Sequence, residues 1–202
     1  FRYYNVNLYK DQQEIYSAIS KSTLQEIKSY ASKHNMQQYR KARLIRMLQV
    51  ASNPSLLYKG QNEEFNLNSQ CGLLGTHYIE PLEDDIYEKI INYSNNSLIP
   101  AKLVQTAELA KKLMANGEKV IIWSNFVANI RIFENQLLKD QNPIVIYGDI
   151  STDIGKEENR DKSIKKFKDN PDPCVLIATP PTLSESVSLH INKNEKRVCS
   201  HA

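Results

Sequence analysis

KVIIWSNFVANIRIFENQLLKDQNPIVIYGD, residues 119–149, changes its apolar period twice. Lys119 to Trp123 opens with a short, continuous apolar run. From Phe126 to Lys139 the apolar residues Val127, Ile130, Phe133 and Leu137 fall at helical spacing. Ile144 to Tyr147 is again apolar throughout. The same alternation then repeats: Lys156 to Asp169 has helical spacing, and Cys174 to Ala178 is a third apolar run. Strands that are apolar along their whole length, alternating with helices, predict a parallel sheet covered on both faces. In such sheets ligands bind beyond the carboxyl ends of the strands. Those ends are Ser124-Asn125, Gly148-Asp149 and Thr179-Pro180-Pro181.

Upstream, the pattern is helical. Ile99, Leu103, Ala107, Ala110 and Met114 form one apolar face, with Pro100 at the start and Asn116-Gly117 at the stop. Near the N-terminus, Asp11 and Glu14 have capping-box spacing. Ile15, Ile19, Thr23, Ile27 and Tyr30 recur on one helical face. A second helix is expected from Gln37 to Ala51, with Leu44, Leu48 and Ala51 as its stripe and Ile45 beside it, ended by Asn53-Pro54. Residues 60–81 are Gly, Asn, Gln and Ser rich and read as a loop. Leu82 to Tyr93 reads as a short helix, broken at Asn95-Asn96-Ser97. Three regions are expected: a helical segment at 1–59, a linker with a short helix at 60–97, and an α/β lobe at 98–202.

Composition bounds the function classes. The 202 residues are 41% hydrophobic and 24% charged, with a net charge of +3. That balance permits a nucleic-acid partner without arguing for one. No apolar run approaches the roughly 18 residues of a membrane span. Cys71, Cys174 and Cys199 are odd in number and widely spaced, which suits a reducing, cytoplasmic setting. The start at Phe1 and the end at RVCSHA suggest a piece cut from a longer protein.

Several residues could carry chemistry. Ser124-Asn125 ahead of a helix could hold a phosphate or could simply cap that helix. Gly148 lets a backbone approach closely, or it makes a turn. Arg160 shares a helix face with Ile164 and Phe167, so its charge needs a partner, either an acid of the fold or a ligand. Thr182, Ser184, Ser186 and Ser188 could donate to phosphate or sugar, or form an ordinary polar loop. Glu185 would repel phosphate but could accept from a ribose hydroxyl or a basic group. His190, Cys199 and His201, even with Cys71, match no zinc spacing. Neither a Walker loop nor a G-x-G-x-x-G motif is present, and no serine or cysteine triad is visible.

Three segments together resemble a known family: KVIIWSNFVANIRIFENQL, then IYGDIS followed by R-x-x-x-I-x-x-F, then VLIATPPTLSESVSLH. They are similar to motif IV, the Gly-Asp-x-Ser turn with its arginine helix, and motif V in the second RecA-like lobe of superfamily-two helicases of the Swi/Snf type. Gln13 and Tyr16 resemble a Gln and a Tyr of the helical region between the lobes. Asn53-Pro54-Ser55-Leu56-Leu57 resembles the His-Pro and leucine pair that follow, and Lys102 stands where the family commonly has lysine. Motif V departs from the family: Leu183 to Leu189 carries serines where relatives have glycines, and Ser188 replaces an asparagine. A divergent, bacterial branch is the expectation.

The resemblance implies a partial RecA-like α/β fold, a βαβαβ parallel sheet flanked by helices behind an N-terminal helical segment. It also implies a motor on double-stranded DNA that works with a first RecA-like lobe of the same protein. Its DNA-backbone contacts would be Ser124, Asn125, Gly148, Thr179, Ser184, Ser186 and Ser188, with Glu185 facing the opposite lobe and its ATP. Arg160 and Lys102 would be structural. ATP and Mg would belong to the first lobe, and the arginines of motif VI would follow Ala202. No catalytic residue and no ATP hydrolysis is expected of this chain alone. The alternative is a non-catalytic α/β module that docks a protein partner.

Overall fold

The structure, a computed structural model, describes residues 3–29, 36–58, 84–148, 160–183 and 189. Side chains of residues 22–29 and 36–43 lie outside that description. The chain divides into two compact units, Phe1–Leu103 and Val104–Ala202.

The first unit is helical. Helix α1 spans Lys10–Ser29, α2 spans Met36–Ser52, a 3-10 turn covers Pro54–Leu57, and α3 spans Asp84–Asn95. Its core joins Ile15, Ile19, Val50, Leu57, Ile86, Ile90 and Tyr93. The expected stripe of α1 is therefore buried at Ile15 and Ile19, while Thr23, Ile27 and Tyr30 lie outside the described side chains. Asp11 is not the cap: α1 has already begun, with the Gln13 N–H donating to the Tyr9 carbonyl at 2.8 Å.

The stripe expected for α2 is wrong. Leu44 and Leu48 are 61% and 48% exposed, whereas Gln49 and Val50 are buried. What sets the roll of α2 is a polar hold that the apolar count could not show. The buried Gln12 amide donates toward the Val50 and Ala51 carbonyls, each at 3.4 Å, and Met47 and Val50 turn toward α1 with it. Asn53 ends the helix as expected, and its side-chain oxygen accepts the Ser55 N–H at 3.0 Å.

Helix α4 spans Ala101–Ala115 and buries Leu103, Ala107, Ala110 and Met114, the predicted face. It ends at Gly117, whose φ of +85° is left-handed. There the Glu118 N–H reaches the Leu113 carbonyl and the Gly117 N–H reaches that of Met114. This paired bonding satisfies carbonyls that the last helical turn leaves open.

The second unit has the expected βαβαβ order. Strand β1 is Val120–Trp123, β2 is Ile144–Ile146 and β3 is Val175–Ala178. Between them lie α5, Val127–Ile132 with a continuing π-helical turn Phe133–Leu137, and α6, Arg160–Asp169. All pairings are parallel, in the order β1-β3-β2. The central strand β3 is buried along its whole length, as its apolar sequence requires. One sheet face gathers Ile121, Ile144, Ile146, Leu176 and Ala178 under Phe167, with Ile164 of α6 packed against them. On α5, Ile130 and Phe133 are buried as predicted, but Leu138 replaces Leu137. The π turn adds one residue to the helical period, and the Leu138 N–H bonds the Phe133 carbonyl five residues back.

Candidate nucleic-acid interface

The register aligns the three strand ends. Trp123 lies beside Ala178, which lies beside Ile146. The ladder then continues for one more residue: the Ser124 N–H donates to the Ala178 carbonyl at 3.0 Å, and the Thr179 N–H donates to the Ile146 carbonyl at 3.1 Å. Ser124, Thr179 and Tyr147 thus form one row on the carboxyl rim, with Asn125 and Gly148 just beyond it. This rim follows from parallel pairing alone, because hydrogen bonding in register fixes where each strand stops.

The rim side chains differ in what they have left to offer. The half-buried Ser124 hydroxyl closes a local turn, accepting the Phe126 N–H at 3.2 Å and donating to the Phe126 carbonyl at 3.0 Å. Ser124 is not the helix cap. Phe126, with extended φ and ψ, holds that position and makes no side-chain cap bond. Thr179 is only 8% exposed, and its hydroxyl lies 3.1 Å from that of Thr182. Asn125 and Gly148 are exposed. A Cβ at Gly148 would meet nothing within 4 Å, so packing in the fold does not demand glycine there. Trp123, 41% exposed, flanks the row. The stretches 123–126, 146–148 and 179–183 contain no Asp, Glu, Lys or Arg.

After β3 the chain turns through Pro180–Leu183 and anchors Leu183 in the sheet core. Ser184, Glu185, Ser186 and Ser188 lie outside the described residues, as do Asp149 and Ser151. Arg160 opens α6. Its side chain is half-buried, and its Nε is buried with no hydrogen-bond partner among the described residues. Lys102 is exposed in the first turn of α4. Gln13 is exposed, while its neighbour Gln12 is the buried one. Besides holding α2, the Gln12 carbonyl oxygen accepts the Ala101 N–H at 3.3 Å. Sequence reading could have found Gln12, since it stands three residues before Ile15 on the apolar face. Among the described residues, no group of three His, Cys, Asp or Glu could hold a metal ion. No described helix is long and apolar enough to cross a membrane.

Comparison with solved structures bears on the fold. The C-terminal domain of the Sulfolobus solfataricus SWI2/SNF2 ATPase aligns at a TM-score of 0.53 and 20% identity, over 86% of this chain and 60% of that one. The fold is that of a C-terminal RecA-like lobe. The Sulfolobus solfataricus SWI2/SNF2 ATPase core in complex with dsDNA aligns at 0.55 and 21% identity, over 95% of this chain and 32% of that one. The C-terminal part of the Fun30 ATPase domain aligns at 0.55 and 15% identity, over 93% of this chain and 70% of that one. The chain thus spans less than two thirds of either Sulfolobus structure. No family model and no curated protein matches the sequence.

Proposed function

We propose that this chain is the second motor lobe of an ATP-dependent DNA translocase, gripping the backbone of double-stranded DNA from its carboxyl rim. The observation that carries the reading is the row Ser124, Thr179 and Tyr147, with Asn125 and Gly148 beyond it, on the rim of a fold shared with SWI2/SNF2 ATPase C-terminal domains. One such ATPase core has been solved in complex with dsDNA. Neutral side chains and backbone N–H groups of this kind fix register on phosphates without reading base sequence. Exposed Asn125 and Gly148 are the described groups best placed for contact. Thr179 and Ser124 shape the surface beneath them. Ser184, Ser186 and Ser188 extend the same rim in this reading, with Glu185 toward the first lobe.

ATP and Mg are assigned to that first lobe, because the described rim has neither a Walker loop nor a carboxylate cluster to hold them. The lobe completes the interlobe site when the two close. Duplex binding by the chain, measured across a salt series, tests the grip. Weak binding that is independent of base sequence and falls with salt, the fall coming from cations of the lobe outside the neutral rim, supports it. Binding that ignores salt, or none at all, transfers the chain to the alternative of a protein-docking module.

A further inference from the structure

The exit from β3 contains a latch built on one hydroxyl. Pro180 and Pro181 have no N–H, so the first backbone donor after Thr179 is Thr182. The Thr182 N–H donates to the Thr179 carbonyl at 3.1 Å, closing a turn. The Thr182 hydroxyl donates to the same carbonyl at 2.7 Å, the shortest contact in the group. A threonine hydroxyl has one proton and two acceptor sites. With the Thr182 proton on that carbonyl, the 3.1 Å contact between the two hydroxyls is donated by Thr179. Thr182 Oγ1 also lies 3.5 Å from the Ile146 carbonyl, the last residue of β2. With its one proton on the Thr179 carbonyl, Thr182 does not also donate to Ile146; its link to the β2 exit runs through Thr179, whose N–H donates to the Ile146 carbonyl at 3.1 Å, and that exit leads to Gly148.

The proton count decides what Thr179 can do. With the Thr182 proton on the Thr179 carbonyl, the only hydroxyl proton of Thr179 goes inward to Thr182, and the residue is buried. A phosphate oxygen accepts and does not donate, so Thr179 has nothing left to give it. We propose that Thr182 is a positioning residue for the rim, and that Thr179 acts as its partner in the latch rather than as a phosphate donor. Thr182 fixes the angle between the β3 exit and the turn at Gly148, while Leu183, buried beside Ile146 and Ala178, anchors the next residue. The inference rests on the DNA-grip reading for its function and on geometry for its mechanism.

The test uses the full chain with Thr182→Val, Thr182→Ser, Thr179→Val and the double variant Thr179→Val with Thr182→Val. Binding to a labelled short duplex is measured well below the melting temperature, beside amide hydrogen exchange of the peptide covering 144–148. Thr182→Val is expected to weaken binding about fivefold, the size of one typical hydrogen bond. It should also speed exchange at the β2 exit, and Thr182→Ser should restore both. The double variant should lose no more than the single ones, because two members of one latch are coupled.

Additive losses, or Thr182→Val with native binding and native exchange, overturn the latch. So does a loss of melting temperature with no change in either readout. If the unmodified chain shows no salt-dependent duplex binding, the DNA reading falls, and the exchange data alone decide the latch: faster exchange reversed by serine upholds it, and unchanged exchange refutes it.

Discussion

Tyr93 offers the sharpest energetic test of the helical unit. Its ring lies among Ile15, Ile19, Ile86 and Ile90, and the residue is 3% exposed. Its hydroxyl is buried with no hydrogen-bond partner among the described residues. Burial foremost, then the negative charge of Asp11 and the neighbouring Tyr9, push its pKa up to about 12 from the ordinary 10.0. The folded state thus holds the phenolic proton more tightly than the unfolded chain. This contribution is fully present below pH 10 and is lost as pH rises toward 12. At roughly 1.4 kcal/mol per pK unit, the loss approaches about 3 kcal/mol. Tyr93→Phe removes both effects. At pH 8 it should stabilise the chain by about 1 kcal/mol, since it deletes a buried hydroxyl with no partner among the described residues. Between pH 10 and 12 its advantage over the unmodified chain should widen by roughly 1 kcal/mol per pH unit. Urea unfolding of both proteins across that range isolates the Tyr93 share, because the other ten of the eleven tyrosines are common to both. A Tyr93→Phe chain that is less stable at pH 8 by more than about 1 kcal/mol refutes the argument, since that loss means the hydroxyl has a partner. Parallel pH profiles refute the pKa shift.

The remaining predictions concern the second unit. Lys119 Nζ donates to the Phe167 and Lys168 carbonyls at 2.7 and 3.3 Å, closing the C-terminal end of α6, and stands 5.5 Å from the Phe167 ring centroid. Lys119→Met, which keeps the stem and removes the charge, should cost about 1–2 kcal/mol in urea unfolding; a neutral result sinks the clamp. Gly148→Ala, with open space around the new Cβ, should leave stability within about 0.5 kcal/mol, yet weaken duplex binding by crowding the approach to its backbone. Gly117→Ala should cost about 1 kcal/mol through its left-handed φ and leave binding intact; the reverse pattern would contradict the rim assignment. The Cys174 thiol is pushed up chiefly by burial, with Asp172 adding to this and Lys119, Asn170 and Lys166 opposing it. Labelling mapped by mass spectrometry should find it modified only on unfolding, so rapid native labelling would refute its burial.

The α/β half was legible because continuous apolar strands and helical spacing are local signals. Val120–Trp123, Ile144–Ile146 and Val175–Ala178 fall within the apolar runs that predict them. The two misplaced apolar stripes share one cause, a polar or backbone event that overrides apolar period. A buried Gln12 rolls α2 away from the Leu44–Leu48 stripe, and a π turn moves the buried leucine of α5 from 137 to 138. The location of the rim was equally legible, since topology alone places strand ends together. What each hydroxyl does there was not, because donating outward and donating inward are written with the same residue.

That ambiguity bears on how the lobe would hold DNA. The proline pair withholds two N–H groups at the β3 exit, and the threonine hydroxyls turn inward to complete the turn. The described rim is therefore neutral, and its exposed residues are Trp123, Asn125, Gly148 and the proline pair. Neutral contacts release no counterions, whereas each phosphate met by a cation adds close to one unit to the salt slope. Any steep salt dependence must come from cations elsewhere. Lys119, just before β1, bonds the C-terminal end of α6, so Arg160 at the opposite end of that helix lies toward the rim, followed by exposed Lys162, Lys165 and Lys166. Changing Asn125 or Gly148 should then lower duplex affinity while leaving the salt slope unchanged. Neutralising Lys165 and Lys166 together should flatten the slope by up to about 2 units if α6 meets the backbone. A slope that instead follows Asn125 would mean that the rim itself carries the charge contacts, contrary to its composition.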